Sequence, residues 1–113
     1  MKKCRITVLK RHFDAELAEK YGVQGLDKCP LHQEGQVFLA DWAKPEGLCD
    51  EAWKAMYQYS FSLAHGSGLF YYGDWIDQPG VAICSCNDGL RPVIFKIERT
   101  DEEATNPSAA QTT

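Results

Sequence analysis

The sequence predicts an α+β fold, in which a small antiparallel sheet or partly open β-barrel has one main helix packed on it. Two alternating, β-branched runs, at residues 80–86 and 91–98, flank Asn-Asp-Gly at residues 87–89, which is typical of a hairpin. From residue 50 to residue 64, apolar side chains recur at helical spacing. A chain of 113 residues, 44% of them hydrophobic, is long enough to form a modest core.

The first third of the chain predicts two strands and a short helix. Residues 3–10 alternate, so that Cys4 shares one face with the neighbouring apolar side chains, and we interpret this cysteine as a core residue. Residues 14–22 form a short helix with Asp at its start and Gly at its end. After a Pro-containing loop, residues 36–41 form the second strand.

The second half supplies the main helix and the hairpin. The helix of residues 50–64 is expected to cover the sheet and to end near Gly66. The aromatic segment of residues 70–75 either closes the core under this helix or walls a pocket. Gly89 is predicted to take the left-handed position of a short hairpin turn.

We expect one domain over residues 1–100, followed by a disordered acidic and polar tail over residues 101–113. The net charge of −4 is concentrated in residues 101–103, so the body has no basic patch and nucleic acid is not an expected partner. No apolar run approaches the roughly 18 residues of a membrane span, and the start lacks the apolar segment of a signal peptide. A soluble, cytoplasmic protein is therefore expected.

Five cysteines in such a chain carry most of the functional signal. An odd number in a reducing compartment argues against a disulfide framework and leaves metal ligation, thiol chemistry or ordinary burial. Cys29 and His32 have a Cys-x-x-His spacing in a loop, which suits a metal site, although a half-buried Cys29 and an exposed His32 are the simpler interpretation. Cys49 precedes the main helix, where the helix dipole favours a thiolate.

Cys84 and Cys86 lie near the hairpin tip, with Arg91 just beyond it. Arg91 is a candidate cofactor-binding residue, since its charge would favour a thiolate at Cys86, but a surface salt bridge to Asp88 or Glu98 explains it equally well. No Cys-x-x-Cys pair is present, so the spacing matches no established cluster motif. The predicted metal ligands are Cys29, Cys49, Cys86 and Cys84, and His32 is a further possible ligand.

Five segments, residues 3–10, 29–30, 34–38, 44–53 and 86–96, resemble a family of small cysteine-containing proteins of anaerobic bacteria and methanogenic archaea. That family has no assigned activity. The resemblance implies a stand-alone domain with recurring cysteines at the positions of Cys29, Cys49 and Cys86, and implies no substrate. An anaerobic setting would favour an oxygen-sensitive iron-sulfur centre.

Three functions follow from these observations. The first is a metal- or iron-sulfur-binding protein, with zinc or an iron-sulfur cluster as cofactor. The second is a thiol-based redox protein or enzyme in which Cys86 is reactive. The third is a metal-free module that binds a protein partner through residues 70–75. A small molecule is the alternative partner, and the sequence defines neither a reaction nor an oligomeric state.

Overall fold

Four antiparallel strands form one open sheet in the computed structural model, which describes residues 1–105. The order across the sheet is β2-β1-β4-β3, which places the two long strands in the middle and the two short strands at the edges. This arrangement confirms the predicted α+β fold with an antiparallel sheet. The strands are β1 (Lys2–Arg11), β2 (Val37–Ala40), β3 (Val81–Ser85) and β4 (Val93–Glu103).

Two α-helices accompany the sheet, α1 (Ala15–Tyr21) and α2 (Asp50–Ala64). The predicted cap of α1 is confirmed, because the Asp14 side chain accepts a hydrogen bond from the Leu17 amide at 3.0 Å. The bounds of α2 coincide with the helical pattern in the sequence. A single 3-10 turn, Tyr71–Gly73, lies within the aromatic segment.

The core lies between α2 and one face of the sheet. Ile6 and Ile97 are paired across β1 and β4, and both are fully buried beneath Met56 and Leu63 of the helix. Each such side chain contributes about 1.5–3 kcal/mol through its removal from water. Cys4 lies in the same core, as predicted, and its Sγ donates to the Ser60 carbonyl at 3.5 Å.

The connection between β3 and β4 differs from the predicted short turn. Gly89 does not take the left-handed conformation, and residues 86–92 form a longer loop. The Asp88 carboxylate organises this loop, because its Oδ1 accepts hydrogen bonds from the amides of Leu90 and Arg91 at 2.9 and 3.0 Å. An aspartate that binds amides two and three residues ahead stabilises a turn without a left-handed residue.

Strand β4 passes the predicted domain boundary at residue 100. It continues through Glu103, which pairs with Lys2 of β1, and the Lys2 ammonium contacts the Glu103 carboxylate. The first residues of the predicted tail therefore belong to the sheet, and residues 106–113 lie outside the described part of the chain. Among residues 1–105, no helix has the length and apolar character that crossing a bilayer requires.

Candidate functional site

A cavity of about 270 Å³ lies where three connections of the fold meet. Its lining includes Cys29 from the loop before β2, Cys49 from the start of α2, and Cys86 and Arg91 from the loop between β3 and β4. We call this the cysteine cavity. The side chains of Leu31, Ala52 and Val93 also line it, so much of its wall is apolar. Three predicted site cysteines, distant in sequence, thus lie around one cavity.

Cys49 is the N-cap residue of α2, as its position in the sequence predicted. Its side chain makes no capping hydrogen bond, and the residue is half-buried. The positive end of the helix dipole therefore lies beside a thiol that is not engaged in capping. The Cys49 amide donates a hydrogen bond to Nε2 of His32 at 3.2 Å.

His32 is only 2% exposed, so the expectation of an exposed imidazole was wrong. Because Nε2 accepts from the Cys49 amide, the ring proton lies on Nδ1, which contacts the Gln36 side-chain oxygen at 3.2 Å. The ring also meets Phe38 and Phe95 edge to face, with centroids 5.5 and 5.7 Å apart. His32 thus links the Cys29 loop to α2 and the sheet, and neither ring nitrogen is left for a metal.

The sequence contained only an indirect signal for this role. The Cys29-x-x-His32 spacing drew attention to the correct loop, but the imidazole holds the Cys49 backbone rather than joining the Cys29 sulfur on a metal. Arg11 supports the loop from the other side, since its Nη1 donates to the Cys29 carbonyl at 3.1 Å. Cys29 itself is half-buried, in agreement with the simpler interpretation of the sequence.

Cys86 lies one residue beyond the end of β3. Its amide donates to the Val93 carbonyl at 3.0 Å, and the Val93 amide donates to its Sγ at 3.3 Å. An amide hydrogen bond to sulfur stabilises negative charge on the thiolate. The loop therefore holds the Cys86 sulfur in place and offers it a donor.

Arg91 forms the salt bridge with Asp88 that the sequence left open, with Nε 2.9 Å from Oδ2. This hydrogen bond is the main reason that the pKa of Arg91 is raised. Burial acts to raise the pKa of Asp88, but the hydrogen bonds from Arg91 and from two loop amides outweigh it and leave that pKa below its ordinary value. The pair places a fixed cation at the wall of the cavity that the three thiols line.

Cys84 does not line the cysteine cavity. It is 8% exposed within the core, and burial raises the pKa of its thiol to about 11. Alternation alone would put Cys84 and Cys86 on one face, but Cys84 pairs with Phe95 beneath α2 whereas Cys86 lies past the end of β3. The structure thus separates Cys84 from the three other predicted metal ligands.

The three thiols lie around the cavity rather than together at one point. Across residues 1–105, no three His, Cys, Asp or Glu side chains are close enough to hold a single metal ion as they stand. All five cysteines are free thiols. Cys29, Cys49 and Cys86 are therefore arranged around a space rather than gathered at a point.

The aromatic segment does not line this cavity. Phe70 packs against Tyr59 and the core, with ring centroids 5.2 Å apart, whereas Tyr72 and Trp75 are exposed. Part of the segment therefore closes the core, which is one of its two predicted roles.

Comparisons with protein-family models, curated proteins and solved structures found no match to this chain.

Proposed function

We propose that this protein binds an iron-sulfur cluster in the cysteine cavity through the thiolates of Cys29, Cys49 and Cys86. One observation carries the proposal: three free, half-buried thiols from three separate connections line a single cavity. Cysteine thiolates are the usual ligands of such clusters, and here three of them come from separate connections. A protein that needed cysteine only for packing would bury it as it buries Cys4 and Cys84.

As placed among residues 1–105, the thiols do not form a site for a single zinc ion. Zinc binds four ligands at about 2.3 Å from sulfur, which brings tetrahedral thiolates to about 3.8 Å from one another. No three potential ligands among residues 1–105 are positioned for one ion, so zinc would require the connections to move inward. The inorganic core of a cluster lies between its thiolates, and the cavity of about 270 Å³ lined by these cysteines offers a space for it.

The surroundings of the thiols also suit a cluster. Leu31, Ala52 and Val93 give the cavity an apolar wall, and the Val93 amide donates to the Cys86 sulfur. Hydrogen bonds to sulfur, nearby charge and solvent access are the means by which proteins adjust cluster potentials. With three thiolates on a four-iron cluster, one iron would have no cysteine ligand and would be open to a small molecule.

The test is elemental analysis and absorption spectroscopy of protein purified without oxygen or chelators. We expect a brown protein containing iron and sulfide. Separate Cys29→Ala, Cys49→Ala and Cys86→Ala variants should each lose most of the iron. Cys84→Ala is the matched control, because it removes a thiol outside the cavity and should retain the iron. Colourless protein after reconstitution with iron and sulfide, or full iron content in all three variants, would refute the proposal.

A second function, thiol chemistry at Cys86, is favoured by a different observation. The Cys86 sulfur accepts a hydrogen bond from the Val93 amide, and the Arg91 cation lines the same cavity. The amide donor and the nearby cation would both stabilise a Cys86 thiolate, which is the nucleophilic form. In this case metal-free protein should react with iodoacetamide first at Cys86, and Arg91→Gln should slow that reaction. Equal rates at Cys29, Cys49 and Cys86 would exclude it.

A further inference from the structure

The acceptor groups around the cysteine cavity are already occupied. Both carboxylate oxygens of Asp88 accept hydrogen bonds, from Arg91 and from two loop amides. Glu51 accepts from Lys54 at 3.0 Å and from the Asn87 side chain at 3.1 Å. A ligand that enters the cavity therefore finds few free acceptors for its own donors.

Donors are available by contrast, and Arg91 is the strongest. A guanidinium carries five N–H groups in a planar fork, and Asp88 uses the one on Nε. The side chain is 31% exposed and lines the cavity, so the fork remains accessible to a ligand inside. Asp88 also restrains the guanidinium, which lowers the entropic cost of binding through it.

We infer that the cysteine cavity binds a small carboxylate, held by the guanidinium of Arg91. Arginine pairs with planar carboxylates through two parallel hydrogen bonds, which matches the donors available here. A cavity of about 270 Å³ lies at the small end of ligand pockets, which suits a small carboxylate. The apolar side chains of Leu31, Ala52 and Val93 would contact the carbon part of the ligand.

The carboxylate site itself needs only the cavity and Arg91. The further inference that the bound carboxylate lies near an iron without a cysteine ligand rests on the proposed function. Arg91 lines the same cavity as Cys29, Cys49 and Cys86, so a carboxylate on its fork would lie near the thiolates that hold the cluster.

Binding is tested first with the reduced, metal-free full chain. Acetate and propionate are the probes, acetamide is the neutral control of the same shape, and amide NMR shifts of residues 86–93 are the readout. We expect saturable shifts with acetate and at least tenfold weaker binding of acetamide. Arg91→Gln should weaken acetate binding at least tenfold. Arg91→Lys, which keeps the charge but loses the fork, should weaken it at least threefold.

Arg5→Gln is the matched control, since Arg5 pairs with Glu98 at 3.2 Å, does not line the cavity, and should leave acetate affinity unchanged. Acetate binding that is equal in wild type and Arg91→Gln, or no stronger than acetamide binding, would overturn the inference, provided that the variant spectrum remains that of a folded protein. Arg91-dependent acetate binding by a protein that takes up no iron would retain the carboxylate site and refute the proposed cluster. A cluster-loaded protein that neither binds acetate nor changes its spectrum with acetate would support the proposed cluster and refute the carboxylate site.

Discussion

Replacing His32 with alanine should destabilise the fold more than any other histidine substitution. The Cys49 amide would lose its partner in a half-buried position, which costs about 2 kcal/mol. Loss of the edge-to-face contacts with Phe38 and Phe95 adds about 1 kcal/mol. Gln36 is exposed and regains its hydrogen bond from water. The total is a loss of about 3 kcal/mol, which lowers the Tm of a domain of this size by about 12 °C.

Urea unfolding followed by tryptophan fluorescence measures this change. His12→Ala is the matched control, because His12 is exposed and its loss should change the free energy of unfolding by less than about 0.5 kcal/mol. His32→Gln should recover part of the loss, since its amide oxygen can lie near the position of Nε2. A loss below about 1 kcal/mol for His32→Ala would show that the imidazole does not hold the start of α2 in place.

Three further predictions concern other parts of the fold. Burial raises the pKa of Cys84 to about 11, so the wild-type protein should lose stability as the pH rises from 9 to 11. In urea unfolding, Cys84→Ala should lose less stability over this range. Equal losses in the two proteins would contradict the burial argument. The pKa of Asp88 is lowered, so its charge stabilises the fold above pH 5. Asp88→Asn should cost about 0.5–1 kcal/mol there, allowing for a one-third exposed pair, and the difference should shrink as the pH falls below 4. Arg99→Ala removes donors to two carbonyls at the end of α2 and should cost about 1–3 kcal/mol by thermal unfolding, whereas Arg5→Ala should cost less than half as much.

The local structure was predictable because neighbouring residues encode it. Alternation in β1 assigned Cys4 to the buried face, and helical spacing located α2 between residues 50 and 64. The same reasoning failed at Gly89, where glycine suggested a left-handed turn but the Asp88 side chain stabilises a different loop. The sequence also predicted that the domain ends near residue 100, because the charged residues at the end of β4 lack apolar alternation. In the structure, lysines of β1 pair with these residues and hold them in the sheet.

The candidate site was only partly predictable. Placing Cys29, Cys49 and Cys86 at the ends of elements marked them as candidates, and the cavity contains all three. The same argument grouped Cys84 with them, but Cys84 lies within β3 and in the core beneath α2, whereas Cys86, two residues later, lies beyond the end of the strand.

The sequence by itself determined the strands, the helices, most of their ends and the face that each element buries, since these depend on periodicity and on caps within a few residues. Only the tertiary structure decided which cysteines share a cavity, that Arg91 lines the same cavity, and that His32 holds Cys49 in place. These contacts join residues far apart in the chain, and they form only when α2 packs on the sheet and brings three separate connections together.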